Sequence, residues 1–296
     1  MTRPAVLLIT GYGKANKHGT GTGEISMTQR RQIWGGEQAR AAHYDARIQR
    51  DKIANFGYQK VPEEDKTRQV VNHFNSVARQ YDFMNTLLSF GIHYIWKRMA
   101  VNKLDLKTGD RVLDVCGGTG DLAILARRAV GATGRVTIFD INRAMMDAGR
   151  YKRSNAAVRK RITHIQGNAE QISCPDESFD AVMVGFGIRN VTRMEQGFRE
   201  MYRVLKPGGK MMCLEFSKPT NTVFRWLYDN YSFYLMPLLG QALAGSKKAY
   251  THLPESIRMF PLPDELTRLL ENIGFSEVTY GRLTNGIAVI HIGHKN

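Results

Sequence analysis

The sequence is poor in cysteine, and this scarcity narrows the chemistry open to it. Its three cysteines, Cys116, Cys174 and Cys213, are far apart and form no C-x-x-C pair. They therefore predict neither a disulfide framework nor a structural zinc site. No metal-ligand cluster of other residue types is visible, so we expect no metal and interpret the thiols as small, reduced side chains in or near the core.

Long apolar runs are also missing. A membrane-spanning helix needs about 18 uninterrupted apolar residues, and the chain contains no such run. The most apolar N-terminal stretch, residues 5–9, is shorter than the roughly 7–15 residues of a secretory signal. The sequence therefore predicts a cytoplasmic protein, which is compatible with peripheral contact with the inner membrane.

Acidic residues are scarce relative to basic ones. The chain has 42 Lys and Arg against 27 Asp and Glu, for a net charge of +15. This balance suits a polyanion or an anionic membrane surface, and solvated charge explains it equally well. A basic, acid-poor leader also raises the alternative of a mitochondrial transit peptide and a matrix protein, although the leader has few serines and Met27 offers an internal start.

Composition divides the chain into two parts. Residues 1–55 are rich in Gly, Thr, Lys and Arg without sustained periodicity, so they predict a basic extension that is mostly disordered or weakly helical. A structured domain is expected over residues 56–296. Its first part, 56–108, is predicted to be helical and to form a lid or substrate wall, with order beginning near Pro62. An α/β core follows at 109–296, with an aromatic helical insertion at about 220–260.

Within the core, short apolar strands alternate with helices. The predicted strands are 111–115, 135–140, 162–166, 179–184 and 210–216, and the predicted helices are 121–130, 144–155, 194–204 and 264–273. Such alternation predicts an α/β fold with a mostly parallel sheet covered on both faces. The last two strands, 276–281 and 286–293, are separated only by a short turn, so they predict an antiparallel hairpin at one sheet edge.

A glycine turn follows the first strand of this alternation. The segment reads V-L-D-V-C-G-G-T-G, with Asp114 in the strand and Gly118, Thr119 and Gly120 in the turn. Glycine permits positive φ and lets a ligand approach the backbone, and ligands of open α/β sheets bind beyond the carboxyl ends of the strands. The second strand ends at Asp140, where a carboxylate can accept hydrogen bonds from a ribose.

This layout fits two cofactor classes. The spacing Gly118-x-Gly120-x-x-Ala123 also satisfies the loose dinucleotide pattern of a dehydrogenase. However, Asp114 before the turn suits the cationic end of S-adenosylmethionine better than a pyrophosphate. The L-K-P-G-G turn at 205–209 is, in addition, a familiar feature of class I methyltransferases. We therefore favour an S-adenosylmethionine-dependent methyltransferase.

Six further segments match a known family, in order. They are F-G-Y (56–58), S-V-A-R-Q-Y-D-F-M-N (76–85), S-F-G-I-H-Y-I-W-K (89–97), F-G-I-R-N-V-T (186–192), L-E-F-S-K-P (214–219) and E-S-I-R-M-F-P (255–261). From about residue 55 to the C-terminus the chain closely resembles the UbiE-type ubiquinone/menaquinone biosynthesis C-methyltransferases. The resemblance implies a Rossmann-like class I methyltransferase fold, S-adenosylmethionine as cofactor, and C-methylation of a prenylated quinol ring.

The resemblance also implies cofactor contacts. Thr119, Asp140 and the pair Asn168-Ala169 would touch the cofactor, with Asn168 at the adenine edge. The family often has a serine where this chain has Gly185, so one hydroxyl contact would be missing there.

Four residues are candidates for the substrate side of the site. Arg189 and Asn190 follow the fourth strand, where substrate and methyl donor should meet, and would orient the quinol hydroxyl. Arginine is a poor base because its pKa exceeds about 12, so Arg189 is interpreted as an electrostatic stabiliser of the phenolate. An ordinary salt-bridged arginine is the alternative. Tyr81 and His93 are the other candidates, although a lone histidine is more often structural.

The aromatic stretch 224–243 leaves two interpretations open. It predicts a helix buried against the sheet, yet its apolar residues occupy more than one helix face. A channel for a polyprenyl tail, or a membrane-facing patch, would use that excess.

Two other functions stay open at this point. A nucleic-acid methyltransferase is disfavoured because no [DN]-P-P-[YF] segment follows the fourth strand, so no nucleic acid is expected as partner. The second is a non-catalytic member of a quinone-biosynthesis complex that binds the cofactor or quinone precursors; a homodimer is also compatible with the sequence. A naphthoquinol and a benzoquinol both remain candidate rings, with demethylmenaquinol in a bacterial enzyme our first choice.

Overall fold

The computed structural model describes residues 45–150, 158, 161–244 and 247–296, with the side chains of 244 and 247–249 left out. Most of the predicted N-terminal extension, 1–55, lies outside these residues. Its last residues form helix α1 (Asp45–Asp51) and most of strand β1 (Ile53–Phe56), where the sequence predicts disorder or at most weak helix, and no strand. Ile48 is the one buried residue of α1. A single apolar anchor in a short helix leaves no periodic signal.

A small hairpin and three helices precede the main sheet. Strands β1 and β2 (Gln59–Pro62) pair antiparallel around Gly57, which has φ +61° and whose Cβ, if present, would overlap Glu255 Oε2. The sequence does not predict this hairpin. Three helices follow, α2 (Glu63–Val77), α3 (Tyr81–Leu88) and α4 (Ile92–Lys103). The helical part predicted over 56–108 therefore contains three separate helices.

Seven strands form the central sheet. The five core strands are β3 (Arg111–Val115), β4 (Arg135–Asp140), β5 (Ile162–Gln166), β6 (Phe179–Gly185) and β7 (Leu205–Phe216), and the last two are β8 (Ser276–Leu283) and β9 (Ala288–His294). Their spatial order is β5-β4-β3-β6-β7-β9-β8. The core strands are mutually parallel, while β9 is antiparallel to both β7 and β8. The predicted fold, a mostly parallel sheet with an antiparallel C-terminal edge hairpin, is confirmed.

The expected turn at 205–209 is an irregularity within β7. Pairing with β6 jumps from Phe179–Leu205 to Ala181–Lys210, and Gly208 has φ +77°. The chain remains in the sheet here because the Gly208 N–H donates to the carbonyl of Lys295, and the Lys295 N–H donates to Gly209. The glycines therefore produce a bulge rather than a break.

Helices cover both faces of the sheet. They are α5 (Asp121–Ala129), α6 (Arg143–Arg150), α7 (Met194–Val204) and α11 (Pro263–Ile273). Alternate strand residues point to opposite faces. Val112 and Ile138 thus join Ala126 of α5 in one buried core, while Leu113 and Val115 join a second core. That second core includes the large side chains of α7 and α11.

The aromatic stretch belongs to a helical insertion that follows β7. It contains α8 (Thr222–Asn230), a π-helical turn (Tyr231–Leu235), α9 (Met236–Ala244) and α10 (Lys247–Met259). Met236 and Tyr250 pack with Val77 and Met84 in a separate core beneath α3. Helix α8 has no buried residue, so a helix buried against the sheet is the wrong interpretation for that part. None of the helices in the described part of the chain is long and apolar enough to cross a membrane.

Candidate active site

The glycine turn after β3 is hydrogen-bonded to Asp140, the last residue of β4. Cys116, Gly118 and Gly120 all have positive φ, at 54°, 52° and 81°. The Gly118 N–H donates to Asp140 Oδ2 at 2.8 Å, and the Asn142 N–H donates to Asp140 Oδ1 at 2.7 Å. Each oxygen of Asp140 therefore holds one backbone amide and keeps a further lone pair for a ligand.

Asp114 is the most deeply buried acid of the site. Its Oδ2 accepts the Ala123 N–H at 3.0 Å, whereas Oδ1 has no hydrogen-bond partner among the described residues. Burial raises the pKa of Asp114 to about 8, and the charge of Asp140 adds to the rise. A Cβ on Gly117 would lie 2.9 Å from the Asp114 carboxyl group, so only glycine fits there. A buried oxygen without a partner is costly, and a cationic ligand group would satisfy it.

The structure brings most of the predicted cofactor residues together around one cavity. Its lining includes Asp114, Gly118, Thr119, Asp140, Asn168, Ala169 and Gly185. Gly120 is the exception: it precedes the first residue of α5 and is not among the lining residues. The cavity crosses the carboxyl ends of neighbouring strands, from Asn168 after β5 to Gly185 at the end of β6. Their roles as cofactor ligands stay predictions.

Helix α2 forms a wall of this cavity. Asn142 Nδ2 donates to the carbonyl of Val71 and to Asn75 Oδ1, both at 3.0 Å. The hydroxyls of Thr67 and Thr192 lie 3.1 Å apart. The side chains of Asn142, after β4, and Thr192, after β6, therefore tie their loops to α2, which lines one side of the cavity.

A second cavity, larger and mainly apolar, adjoins the first. Its volume is about 470 Å³, and its walls come from α2, α3, α4, α8 and α10 together with the start of the β8–β9 turn. Tyr81, His93, Arg189 and Asn190, the predicted substrate-side residues, all line it. The side chains that line both cavities are those of Phe74, Tyr81, Lys97, Phe186 and Asn190. The two cavities therefore meet at these residues.

Arg189 is held in a buried ion pair. Its Nη1 donates to Glu215 Oε2 at 3.0 Å and to the carbonyl of Phe186, and Nε donates to Ser256 Oγ at 3.3 Å. Burial raises the pKa of Glu215 and the Arg189 charge opposes that rise. The guanidinium also lies 5.5 Å from the ring centre of Phe216. The salt-bridged arginine considered as an alternative is thus what the structure contains.

The other substrate-side candidates differ in availability. The side-chain amide nitrogen of Asn190 is buried and has no partner among the described residues. His93 is buried as well, with Nε2 3.3 Å from the Thr86 hydroxyl and its ring packed on Tyr94. Asn190 is therefore the better placed of the two to donate to a ligand.

Lys97 and Asp121 are among the charged residues of the site that the sequence does not predict. Lys97 Nζ lies 2.8 Å from Asp121 Oδ2, and both residues line the cofactor cavity. A signal for Lys97 exists, because His93, Lys97 and Val101 recur at the spacing of one helix face and that face is buried. A lysine on such an apolar stripe indicates a buried partner, although the sequence does not say which.

Comparison with known proteins decides the family. The model of the ubiE/COQ5 methyltransferase family matches residues 60–295. The chain belongs to this family. It is 46% identical over 245 residues to the "Ubiquinone/menaquinone biosynthesis C-methyltransferase UbiE" of Pseudomonas entomophila, covering 83% of this chain and 96% of that protein. The UbiE of Escherichia fergusonii is 45% identical over 82% of this chain and 97% of its own length.

Solved structures support the fold alone. A SAM-dependent methyltransferase from Thermotoga maritima aligns with a TM-score of 0.55 at 20% identity, covering 76% of this chain and 99% of that one. The [4+2]-cyclase SpnF aligns with a TM-score of 0.56 at 15% identity, covering 77% of this chain and 96% of that one. The family match and the UbiE relatives, rather than these structures, confirm the predicted S-adenosylmethionine-dependent methyltransferase and decide against the dehydrogenase alternative.

Proposed function

We propose that this protein methylates a ring carbon of a prenylated quinol in quinone biosynthesis, with demethylmenaquinol as the first candidate substrate. The observation that carries the proposal is the apolar cavity of about 470 Å³ that meets the cofactor cavity at Tyr81, Phe186 and Asn190. An apolar ring with a long hydrocarbon tail requires such a space beside the methyl donor. The names of the UbiE relatives support the same substrate class.

The residues of the first cavity fit S-adenosylmethionine. Asp140 would accept the ribose hydroxyls with its remaining lone pairs, and Asn168 would address the adenine edge. The unpartnered Oδ1 of Asp114 would accept from the methionyl ammonium group. When bound, the cofactor supplies an electrophilic methyl group. The protein's part is to hold and orient its partners and to exclude water.

The polar groups at the meeting point of the cavities would act on the quinol. Loss of a hydroxyl proton concentrates electron density on the adjacent ring carbon, which loses its own proton after methylation. The Asn190 amide would donate a hydrogen bond to the developing phenolate, a charge that a dry site must stabilise. Arg189 would position Asn190 through Phe186 and the ion pair with Glu215, since its charge is already compensated. Tyr81 and His93 would complete the wall.

The apolar cavity suggests a path for the prenyl tail. Phe90 and Leu227 line the cavity and yet are 84% and 53% exposed, so they mark its mouth. Exposed apolar side chains continue from this mouth along α4 and α8. They are Tyr94, Ile95, Met99, Val223 and Trp226. We propose that this face contacts the surface of the inner membrane from the cytoplasmic side, where the quinol resides.

A turnover assay tests the function directly. Purified protein is incubated with S-adenosylmethionine and either reduced demethylmenaquinone or a reduced demethylated benzoquinone, and the product is identified by mass spectrometry. A gain of one methyl group on a ring carbon is expected, and the ratio of the two rates assigns the ring. Tight cofactor binding without transfer to either quinol would instead favour the non-catalytic member of a biosynthetic complex.

A further inference from the structure

Acidic side chains outnumber basic ones in the lining of the cofactor cavity. Among its described lining residues, Asp114, Asp121, Asp140 and Glu170 carry carboxyl groups, whereas Lys97 alone carries a basic side chain. S-adenosylmethionine has two cationic groups, the sulfonium and the ammonium, and one carboxylate. A carboxylate buried without a cation is strongly disfavoured. Among the described lining residues, the Lys97 ammonium is the cation that can compensate the carboxylate of the cofactor.

Lys97 lies at the right end of the cavity. Asn168 follows β5 and Asp140 ends β4, so the adenosine part is expected on that side of the sheet. Lys97 also lines the apolar cavity, together with Asn190 beyond β6. Its partner Asp121 directly follows the glycine turn of β3, and β3 lies between β4 and β6 in the sheet. The ammonium is therefore on the side away from Asn168, where the methionyl part of the cofactor is expected to end.

The ammonium is held in its charged form. Lys97 is only 9% exposed, and its Nζ lies 2.8 Å from Asp121 Oδ2. Burial alone would lower the pKa of Lys97, but the charge and hydrogen bond of Asp121, with smaller contributions from Tyr81 and Asp82, raise it overall. Asp121 is also the first residue of α5, whose N-terminus favours the ionised form of its carboxyl group.

We propose that the Lys97 ammonium binds the α-carboxylate of S-adenosylmethionine, with Asp121 as the fixed counter-ion that orients it. The Lys97–Asp121 pair then faces the zwitterionic head of the methionyl group, and Asp114 accepts from the ammonium of that head. The proposal rests on the methyl-donor assignment and is independent of which quinol is methylated.

Binding measurements without any quinol provide the test. Isothermal titration gives the Kd of S-adenosylmethionine and of its decarboxylated analogue, which lacks only the carboxylate. The wild-type protein is expected to bind the analogue about tenfold or more weakly, as befits a lost charged hydrogen bond. In Lys97→Met, the affinity for S-adenosylmethionine falls by a similar factor while that for the analogue hardly changes, so the two ligands become nearly equal.

Two further variants guard against a folding defect. Lys103→Met makes the same substitution at an exposed position of α4 and keeps the wild-type preference. The double variant Lys97→Met/Asp121→Asn leaves no unpaired buried charge, and it too loses the preference. An unchanged preference in both Lys97 variants, with native circular dichroism, would overturn the proposal. So would normal cofactor binding with a reduced kcat/KM for the quinol, which would assign Lys97 to the phenolate.

Discussion

Arg189 and Glu215 form an ion pair, with Nη1 and Oε2 3.0 Å apart, in which the two side chains are only 6% and 2% exposed. The pair links the turn after β6 to the end of β7. Charges compensated in this way position their neighbours rather than exchange protons. The neighbour that matters most is Asn190, whose side-chain amide nitrogen has no partner among the described residues.

Removing one member of the pair is expected to be costly. Arg189→Ala leaves Glu215 as an uncompensated buried acid, and the free energy of unfolding should fall by about 3–5 kcal/mol. Turnover should fall more than cofactor affinity, because Asn190 loses its support. Urea denaturation, cofactor titration and turnover measure the three quantities. Unchanged turnover would make Arg189 a purely structural residue.

A double variant separates stability from positioning. Arg189→Met/Glu215→Leu replaces the pair with apolar side chains and should recover most of the stability. The turnover number should remain low, since the donors to Phe186 and Ser256 are gone. If the free energy of unfolding and the turnover number both recovered, Asn190 would need no ion pair to position it.

Asp140 is expected to be essential for cofactor binding. Asp140→Ala removes the proposed ribose acceptor and frees the Gly118 and Asn142 amides that the carboxylate holds. The Kd of S-adenosylmethionine should rise at least about tenfold. Asp147→Ala on the outer side of α6 is a matched control. Near-normal affinity in Asp140→Ala would exclude the ribose assignment.

Cofactor binding should release a proton near neutral pH. Burial raises the pKa of Asp114 to about 8, so its carboxyl group is mostly protonated in the free protein at pH 7. A cationic ligand group at Oδ1 favours the ionised form and expels that proton. Titration calorimetry in buffers of different ionisation enthalpy counts the protons. Release should approach one at pH 7 and vanish in Asp114→Asn; no release by the wild type would contradict the assignment.

The same pKa shift has a consequence for the stability of the free protein. The ordinary pKa of the Asp114 carboxyl is 3.8, and the folded state raises it to about 8. The stability that this group contributes is therefore complete below about pH 4 and is lost as pH rises towards 8. In urea denaturation across this window, Asp114→Asn should flatten the decline. An equally steep decline in the variant would show that other groups cause it.

Gly185 is expected to tolerate no side chain. A Cβ at this position would overlap Leu122 Cδ1, so Gly185→Ala should lower the free energy of unfolding by about 1–3 kcal/mol through overpacking. In a Leu122→Val background the added cost should be smaller. An equal cost in both backgrounds would exclude the contact with Leu122.

Membrane contact is expected to depend on α8. Val223 and Trp226 are exposed on this helix, and the double change Val223→Ser/Trp226→Ser should weaken sedimentation with anionic lipid vesicles several-fold by removing apolar area. Ile53→Ser alters an exposed apolar residue on β1 and should have little effect. Equal losses in the two proteins would contradict a docking face around α8.

The central sheet was the most predictable part of the fold. The bounds of β3, β4 and β5 coincide with the predicted ones, because each is a short segment with β-branched apolar residues that lies between glycine or charged residues. The first hairpin and α1 could not be predicted, since both are too short to show periodicity. The segment at 205–209 looks like a turn by composition, but its backbone groups find partners on the neighbouring strands, which sequence cannot reveal.

The site was predictable as a set of residues rather than as a network. Strand ends and the glycine turn indicate Asp114 and Asp140, since parallel strands bring their carboxyl ends to one edge. Arg189 lies in the turn after β6, but its partner Glu215 is on β7. Lys97 lies on α4, but its partner Asp121 is on α5. Such pairings arise only when the elements pack, so neither Glu215 nor Asp121 had a signal that joined it to its partner.

Helix α4 connects the cofactor cavity with the exposed apolar face that is proposed to contact the membrane. One side carries Lys97 towards the cofactor cavity, and the other exposes Tyr94, Ile95 and Met99 to the surroundings. If lipid contact shifts this helix, the Lys97 ammonium moves with it. Affinity for the methyl donor and affinity for the bilayer would then be linked equilibria, each changing the other by the same factor. Lys97 in the cofactor cavity and the exposed Tyr94, Ile95 and Met99 thus give one rigid helix a part in both binding events.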